Sequence, residues 1–329
     1  MRNVKGIIGI VFLVVSITSL TSFIHSPWPA ETKNKPLKIL LISDLNASYG
    51  SLTYSDDVSA VVKEIGKIKP DLILCGGDMV AGQKASLTEQ HIKDMWQRFK
   101  TVVFDPIKKA KVPFGFTLGN HDASPSFTKD RALANEFWKD EQAATGLTFV
   151  DSEHYPFYFS YLKHNVFFMS WDASGAKIKP ELYSWMKAQA NLPAAKNARM
   201  RILLGHLPLY AIVAAKNKPG EVNSNPDSAL NFFKSHAIDM YISGHQHAYY
   251  PAIKNGVHLL NAGCIGDGPR PILGHSALAK KGYTILEIPV KQPLRFTQRT
   301  FMPFSNEEIN IKSLPDSVIG FNGTISRID

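Results

Sequence analysis

Residues 37–78 read LKILLISDLNASYGSLTYSDDVSAVVKEIGKIKPDLILCGGD. The run Leu37 to Ile42 is apolar on both faces apart from Lys38, which predicts a buried strand ending on the carboxylate of Asp44. Asp56 or Asp57 then opens a helix whose apolar positions Val58, Val61, Val62, Ile65 and Ile68 keep helical spacing up to Pro70. A second buried strand, Asp71 to Cys75, runs into Gly76-Gly77-Asp78. Strand, helix and strand, with an aspartate at each strand end, predict a βαβ unit whose functional edge is the carboxyl end of a parallel sheet. The fold class is therefore α/β.

The same device recurs along the chain. Val112 to Leu118 empties into Gly119-Asn120-His121-Asp122, Arg201 to Leu204 into Gly205-His206, and Ile238 to Ile242 into Ser243-Gly244-His245-Gln246-His247. Successive side chains on a strand point to opposite faces, so His245 and His247 can approach one pocket only where the chain leaves the strand. Between these blocks, Ser86 with Glu89 forms a candidate capping box for a helix carrying Leu87, Ile92, Met95, Trp96, Phe99 and Val103. Further helices are expected from Thr128 to Ala144, from Pro180, and over Leu230 to His236. Tyr155 to Leu162 and Val166 to Trp171 read as a hairpin around Lys163-His164-Asn165. The Pro-, Asn- and Lys-rich segment Leu207 to Asp227 is expected to be an exposed loop. Val257 to Asn261 is a further strand, and the glycine-rich stretch Ala262 to Arg270 lacks the spacing of a nucleotide-binding loop. Tyr283 to Val290 and Leu294 to Thr300 read as closing strands.

These elements form one domain over residues 37–300, with a C-terminal tail at 301–329 that carries little pattern. Residues 1–26 place Arg2 and Lys5 before an uncharged run from Gly6 to Ile24, the layout of a signal peptide or a retained signal anchor, followed by a spacer at 27–36. Export to a periplasmic or extracellular space is the expectation, with membrane contact only through that segment if it is not cleaved. The 329 residues, 44% of them hydrophobic, are enough for a substantial core. A formal charge of +9 favours anionic partners in general, whether phosphorylated substrates, polyanions or a membrane surface, and the dispersal of the lysines reads as a solvated basic surface over a nucleic-acid footprint. Cys75 and Cys264 each sit in a segment that reads as buried, and two free thiols are expected in preference to a disulfide.

The polar residues at strand ends are Asp44, Asp78, Asn120, His121, His206, His245 and His247. Carboxylate, amide and imidazole without thiolate suit hard or borderline ions such as Mn, Fe or Zn. Two ions close together need a bridging carboxylate and can activate water while binding phosphate oxygens.

Ser43-Asp44-Leu45-Asn46, Gly77-Asp78, Gly119-Asn120-His121-Asp122, Gly205-His206 and Gly244-His245-Gln246-His247 resemble, in order, the five blocks of the calcineurin-like metallophosphoesterases. The resemblance implies a four-layer αββα sandwich of two mixed sheets flanked by helices. It also implies a metal-dependent hydrolase of phosphoric esters, mono- or diester, in which water activated by two metal ions attacks phosphorus. Asp44 and His247 would hold one ion, Asn120, His206 and His245 the other, and Asp78 would bridge. Asn120 and His121 would meet the phosphate; His121 would protonate the leaving oxygen, with Asp122 orienting its ring. Arg270, on the loop after the last block, is a candidate phosphate clamp.

One block departs from the family pattern: Asn46 stands where Asp-x-His would place a histidine, so its contribution to the first ion is weak or indirect. The related purple acid phosphatases replace that histidine with a tyrosine three residues after the bridging aspartate, where this chain has Ala81. Tyr49 and Tyr54 are read as ordinary loop aromatics. Two other functions stay open: a weakly catalytic protein of this fold that binds a phosphorylated ligand, which Asn46 favours, and a nuclease using the same metal chemistry.

Overall fold

The computed structural model describes residues 34–328. The segment read as a signal or anchor, and most of the spacer after it, lie outside those residues. Among the described residues no helix is long and apolar enough to cross a membrane.

The strands in chain order are β1 (Leu37–Ile42), β2 (Leu72–Cys75), β3 (Phe114–Phe116), β4 (Thr148–Asp151), β5 (Phe159–Lys163), β6 (Val166–Ser170), β7 (Met200–Leu204), β8 (Met240–Ser243), β9 (Tyr250–Lys254), β10 (Val257–Asn261), β11 (Tyr283–Ile288), β12 (Thr297–Phe301), β13 (Ser317–Gly320) and β14 (Gly323–Arg327). They form a five-stranded sheet ordered β12-β11-β1-β2-β3 and a nine-stranded sheet ordered β13-β14-β9-β10-β8-β7-β6-β5-β4. Strands β1, β2 and β3 are mutually parallel, as are β6, β7, β8 and β10, whereas the outer strands are antiparallel. Both sheets are therefore mixed.

The period of two in the second sheet separates two cores. Phe168, Ile202, Leu204, Met240 and Ile242 face inward and join Leu40, Leu74 and Phe116 of the first sheet. Their neighbours Phe167, Met169, Leu203 and Tyr241 point the other way, onto Met186, Leu230 and Phe233 of the helices Pro180–Asn191 and Pro226–Ser235. Helices Asp56–Ile68 and Glu89–Phe99 add Val58, Val61, Ile92, Met95, Trp96 and Phe99 to the first core. Helix, sheet, sheet and helix layers follow, as the sequence led us to expect.

Three details differ from the sequence reading. The second long helix starts at Glu89 and is capped by Thr88, whose hydroxyl accepts from the His91 amide at 3.2 Å, so Ser86 is not its cap. Residues beyond Met302 are not a patternless tail: β13 and β14 pair with each other and then with β9, and bury Val318 and Ile325 in the second core. The segment Leu207 to Asp227 is exposed only in part: Leu207 to Val213 are buried, whereas Ala214, Ala215 and Lys218 to Gly220 are exposed. Cys75 and Cys264 are both buried and unpaired.

Candidate metal centre

The carboxyl ends of the parallel strands of the two sheets meet at one edge. β1 delivers Asp44, β2 Asp78, β3 Asn120, β7 His206 and β8 both His245 and His247. Backbone bonds lock the strand exits together: Asp44 donates to Gly77 O at 3.0 Å, Leu45 to Asp78 O at 2.9 Å, and Gly244 to His206 O at 3.0 Å. The loop after β10 closes over them, with Gly266 donating to Asp44 O at 2.8 Å and Asp267 to Asn46 O at 3.0 Å.

The turns are sharp. Asp44, Asp78, His245 and His247 all have φ between 51° and 68°, a left-handed conformation that is uncommon outside glycine and concentrates at functional sites. Glycines at the strand exits make room. A Cβ on Gly119 would sit 2.1 Å from Asp78 Oδ1, and one on Gly244 would sit 2.7 Å from Asp44 Oδ2. Side chains at either position would occupy the space of the carboxylates.

Two clusters share Asp78. In the first, Asp78, His206 and His245 converge with Asn120. Asn120 Oδ1 lies 2.9 Å from His206 Nε2 and 2.8 Å from His245 Nδ1, and Asp78 Oδ2 lies 3.2 Å from the same His206 nitrogen. In the second, Asp44, Asp78 and His247 converge, with His247 Nε2 3.2 Å from Asp44 Oδ1. Donor atoms bound to one ion at about 2.0–2.2 Å stand roughly 3–3.6 Å apart, close to these separations.

The other nitrogen of each imidazole is already committed. His206 Nδ1 is 2.8 Å from Gly76 O, His247 Nδ1 is 2.9 Å from Asp267 O, and His245 Nε2 is 2.8 Å from Glu221 Oε2. A neutral imidazole has one N–H, which these acceptors take, so the remaining lone pairs of His206 and His245 face the lone pairs of Asn120 Oδ1. Only a proton or a cation relieves that contact. Asp78 Oδ2 and Asn46 Oδ1 are moreover buried without a well-formed hydrogen bond. The residues fit a pair of metal ions.

The electrostatics agree. Burial opposes ionisation of Asp78, yet the imidazoles of His206, His121 and His245 hold it well below the usual carboxylate range. Asp44 is likewise lowered, by His247 against the cost of burial. Burial would keep His206 neutral, but Asp78 overrides it and raises the ring to about 9. His245 goes well below its ordinary value, through burial and the neighbouring Lys216 ammonium.

Of the remaining expected residues, His121 lies at the opening, its Nε2 4.0 Å from Asp78 Oδ2 and its ring against Tyr49 at 4.9 Å between centroids. Tyr49 is therefore part of the cleft, with an exposed side chain at its wall. Tyr54 is structural, its hydroxyl donating to Met79 O at 2.7 Å. Asp122 does not orient His121. Its carboxylate accepts from the amides of Met79 and Val80 at 2.8 and 2.9 Å and of Gly119 at 2.8 Å, while His121 Nδ1 faces Gly82 O at 3.3 Å. Neighbouring residues of the short helix Asn120–Ala123 project in different directions, so Asp122 caps the turn while His121 faces the cleft. Burial and the charge of Asp78 raise Asp122 to about 7.

Three residues escape the sequence reading: Gln83, Lys216 and Glu221. Gln83 Oε1 accepts from Asn120 Nδ2 at 2.6 Å, which turns the amide oxygen of Asn120 toward the imidazoles. Lys216 Nζ stands 3.1 and 3.2 Å from the two nitrogens of His245 and 3.9 Å from Glu221 Oε2. The link is Gln246, the residue between the two histidines, whose Oε1 accepts from the amides of Ile212 and Val213 at 3.1 Å each. The motif itself pulls the 207–227 segment onto the site. Tyr49, Gln83, His121, Lys216, Glu221 and Arg270 line an open cleft of about 780 Å³ over Asn120 and His245.

A calcineurin-like phosphoesterase family profile matches residues 37–249. Among solved structures, a purple acid phosphatase from yellow lupin (Lupinus luteus) seeds superposes with a TM-score of 0.65 at 13% identity, over 86% of this chain and 54% of that one. This chain thus spans about half the length of the lupin enzyme. GAP50, described as the anchor in the inner membrane complex of Plasmodium, superposes with a TM-score of 0.52 at 15% identity, over 84% of this chain and 87% of that one. At these identities the likeness is one of fold. No curated protein matches the chain in sequence. Five ordered blocks, the two-sheet sandwich and the paired donor clusters agree with the profile, and the chain belongs to the calcineurin-like phosphoesterase family.

Proposed function

We propose that the protein hydrolyses phosphoric esters of small molecules with two metal ions of the Mn, Fe or Zn class. The observation that carries this reading is the pair of buried donor clusters sharing Asp78, with Asn120 and His245 of the first cluster lining an open cleft. When bound, the ions supply Lewis acidity toward phosphate and activation of water. The residues of the chain do the rest. Asp44, Asp78, Asn120, His206, His245 and His247 hold the ions, with Asn46 offering only an amide oxygen. His121 contacts the phosphate and donates a proton to the leaving alcohol oxygen as its bond to phosphorus breaks, while water supplies the new oxygen. Its position at the cleft mouth and 4.0 Å from Asp78 suits that role. Arg270, which lines the same cleft, clamps phosphate oxygens.

The reading includes export, supported by Arg2 and Lys5 ahead of the uncharged run Gly6 to Ile24. The fold is shared with a protein described as an anchor, so a ligand-binding role with weak catalysis is the second reading, and Asn46 is the observation that favours it. The deciding experiment is a panel of aryl mono- and diesters, nucleotides and phospholipid head groups, run with metal-free protein and with defined Mn, Fe and Zn. Metal-dependent turnover of any ester is the expected result; tight metal binding without turnover of any of them would favour the second reading.

A further inference from the structure

The cleft carries two side-chain cations that the metal positions do not need. Lys216 is buried with its Nζ beside the His245 ring, 3.1 and 3.2 Å from the two nitrogens, and its closest carboxylate oxygen, on Glu221, is 3.9 Å away, longer than a formed ion pair of good geometry. Arg270 lines the same cleft, and its Nη1 is buried with no hydrogen-bond partner. Unpartnered buried donors are rare in folded proteins, and a buried guanidinium nitrogen beside a ligand cleft marks a place where an anion completes the set.

The charge balance says which anion. Asp44 and Asp78 offset only half of the charge of two divalent ions, and Glu221 offsets one of the two side-chain cations. The loaded cleft is thus positive before substrate enters. A phosphomonoester at neutral pH brings two negative charges and three unesterified oxygens. A phosphodiester brings one charge and sets an uncharged ester oxygen, a poor acceptor, against one of the cations, leaving that buried charge uncompensated.

We infer that the cleft selects phosphomonoester dianions over phosphodiesters, and that Lys216 and Arg270 are the residues that read the second negative charge. This rests on the phosphoesterase reading for its kinetic half and not for its binding half. The kinetic test compares 4-nitrophenyl phosphate with bis(4-nitrophenyl) phosphate on the Mn-loaded full chain. The monoester has the higher kcat/KM. Lys216→Gln and Arg270→Gln each lower kcat/KM for the monoester by about tenfold or more, chiefly through KM, and lower it for the diester less than about threefold, whereas Lys216→Arg keeps the preference. Metal content, measured on each variant, stays at the wild-type level.

The binding test titrates inorganic phosphate and dimethyl phosphate into the same proteins by calorimetry. Inorganic phosphate weakens about tenfold or more in both Gln variants and dimethyl phosphate does not. If neither ester is hydrolysed while this binding pattern holds, the catalytic reading fails and the dianion preference stands. A wild-type preference for the diester, equal losses for both ligand classes, loss of metal in the Gln variants, or unchanged phosphate binding would each overturn the inference.

Discussion

The two donor clusters are built from the same kinds of strand ends, yet they are unequal. The one around Asn120, His206 and His245 is buried between the sheets, and each of these three is braced: Gln83 fixes Asn120, Gly76 fixes His206, and Glu221 fixes His245. The one around Asp44 and His247 has a single imidazole, whose Nδ1 faces the carbonyl of the exposed Asp267 in the loop after β10, while Asp44 accepts from Ser43 Oγ at 2.6 Å and from the His245 amide at 3.0 Å. Asn46, which stands where the family pattern has a histidine, offers only an amide oxygen, buried without a hydrogen-bond partner. With ions bound, the position with two imidazoles is expected to hold its metal more strongly than the position with one, which makes the first the strong position and the second the weak one.

The most damaging change is to the shared residue. Asp78→Asn replaces the shared carboxylate with a neutral amide that has a single oxygen and cannot serve both positions, and is expected to reduce metal-dependent turnover by about a thousandfold or more, with lowered metal content by elemental analysis. Retention of near-normal rates would break the picture of two linked sites. Next in size is the contrast between the histidines. His247→Ala leaves the weak position without imidazole and is expected to lower metal content from two ions to one. His245→Ala, with Asp78, Asn120 and His206 still in place, is expected to weaken the other ion by roughly ten- to a hundredfold without emptying it at saturating metal. Equal losses in the two variants would erase the asymmetry.

A smaller effect is expected from Glu221→Gln, which keeps the shape but removes the carboxylate behind His245. Metal affinity at the strong position should fall by about tenfold, with the weak one unchanged, as read from competitive chelator titrations. The mildest test is pH. Asp78 raises His206 to about 9 against an ordinary value of 6.5, so in the metal-free chain the ring carries a proton at neutral pH that must leave before the nitrogen can ligate. Metal uptake at the strong position should therefore release a proton, and affinity should rise with pH until about pH 9 and then level off. An indicator-dye titration showing no proton release at pH 7.5 would remove that part of the account.

Much of this centre is legible in the chain because its ligands follow directly on buried parallel strands. Where a strand reads as an apolar run, its carboxyl end is fixed, and Asp44, Asp78, Asn120, His206 and His245 all fall within four residues of it. What lies behind the ligands is less legible. Lys216 and Glu221 sit in a segment whose composition is that of a solvated loop, and nothing in their spacing links them to His245. Their placement follows from Gln246, whose buried amide accepts from two backbone N–H groups across 33 and 34 residues of sequence. Asp122 misleads for a related reason: adjacency to His121 in sequence does not give adjacency of side chains on a helical turn.

The sequence by itself determined the α/β class, the order of the strand-end blocks and the identity of the residues that leave the strands, because hydrophobic periodicity and strand-end chemistry are local. Only the tertiary structure decided which residues stand behind those ligands, that Tyr49 lies on His121, and that the last strands extend the second sheet. Those arrangements come from contacts between segments far apart in the chain, where burial, not composition, chooses the partner.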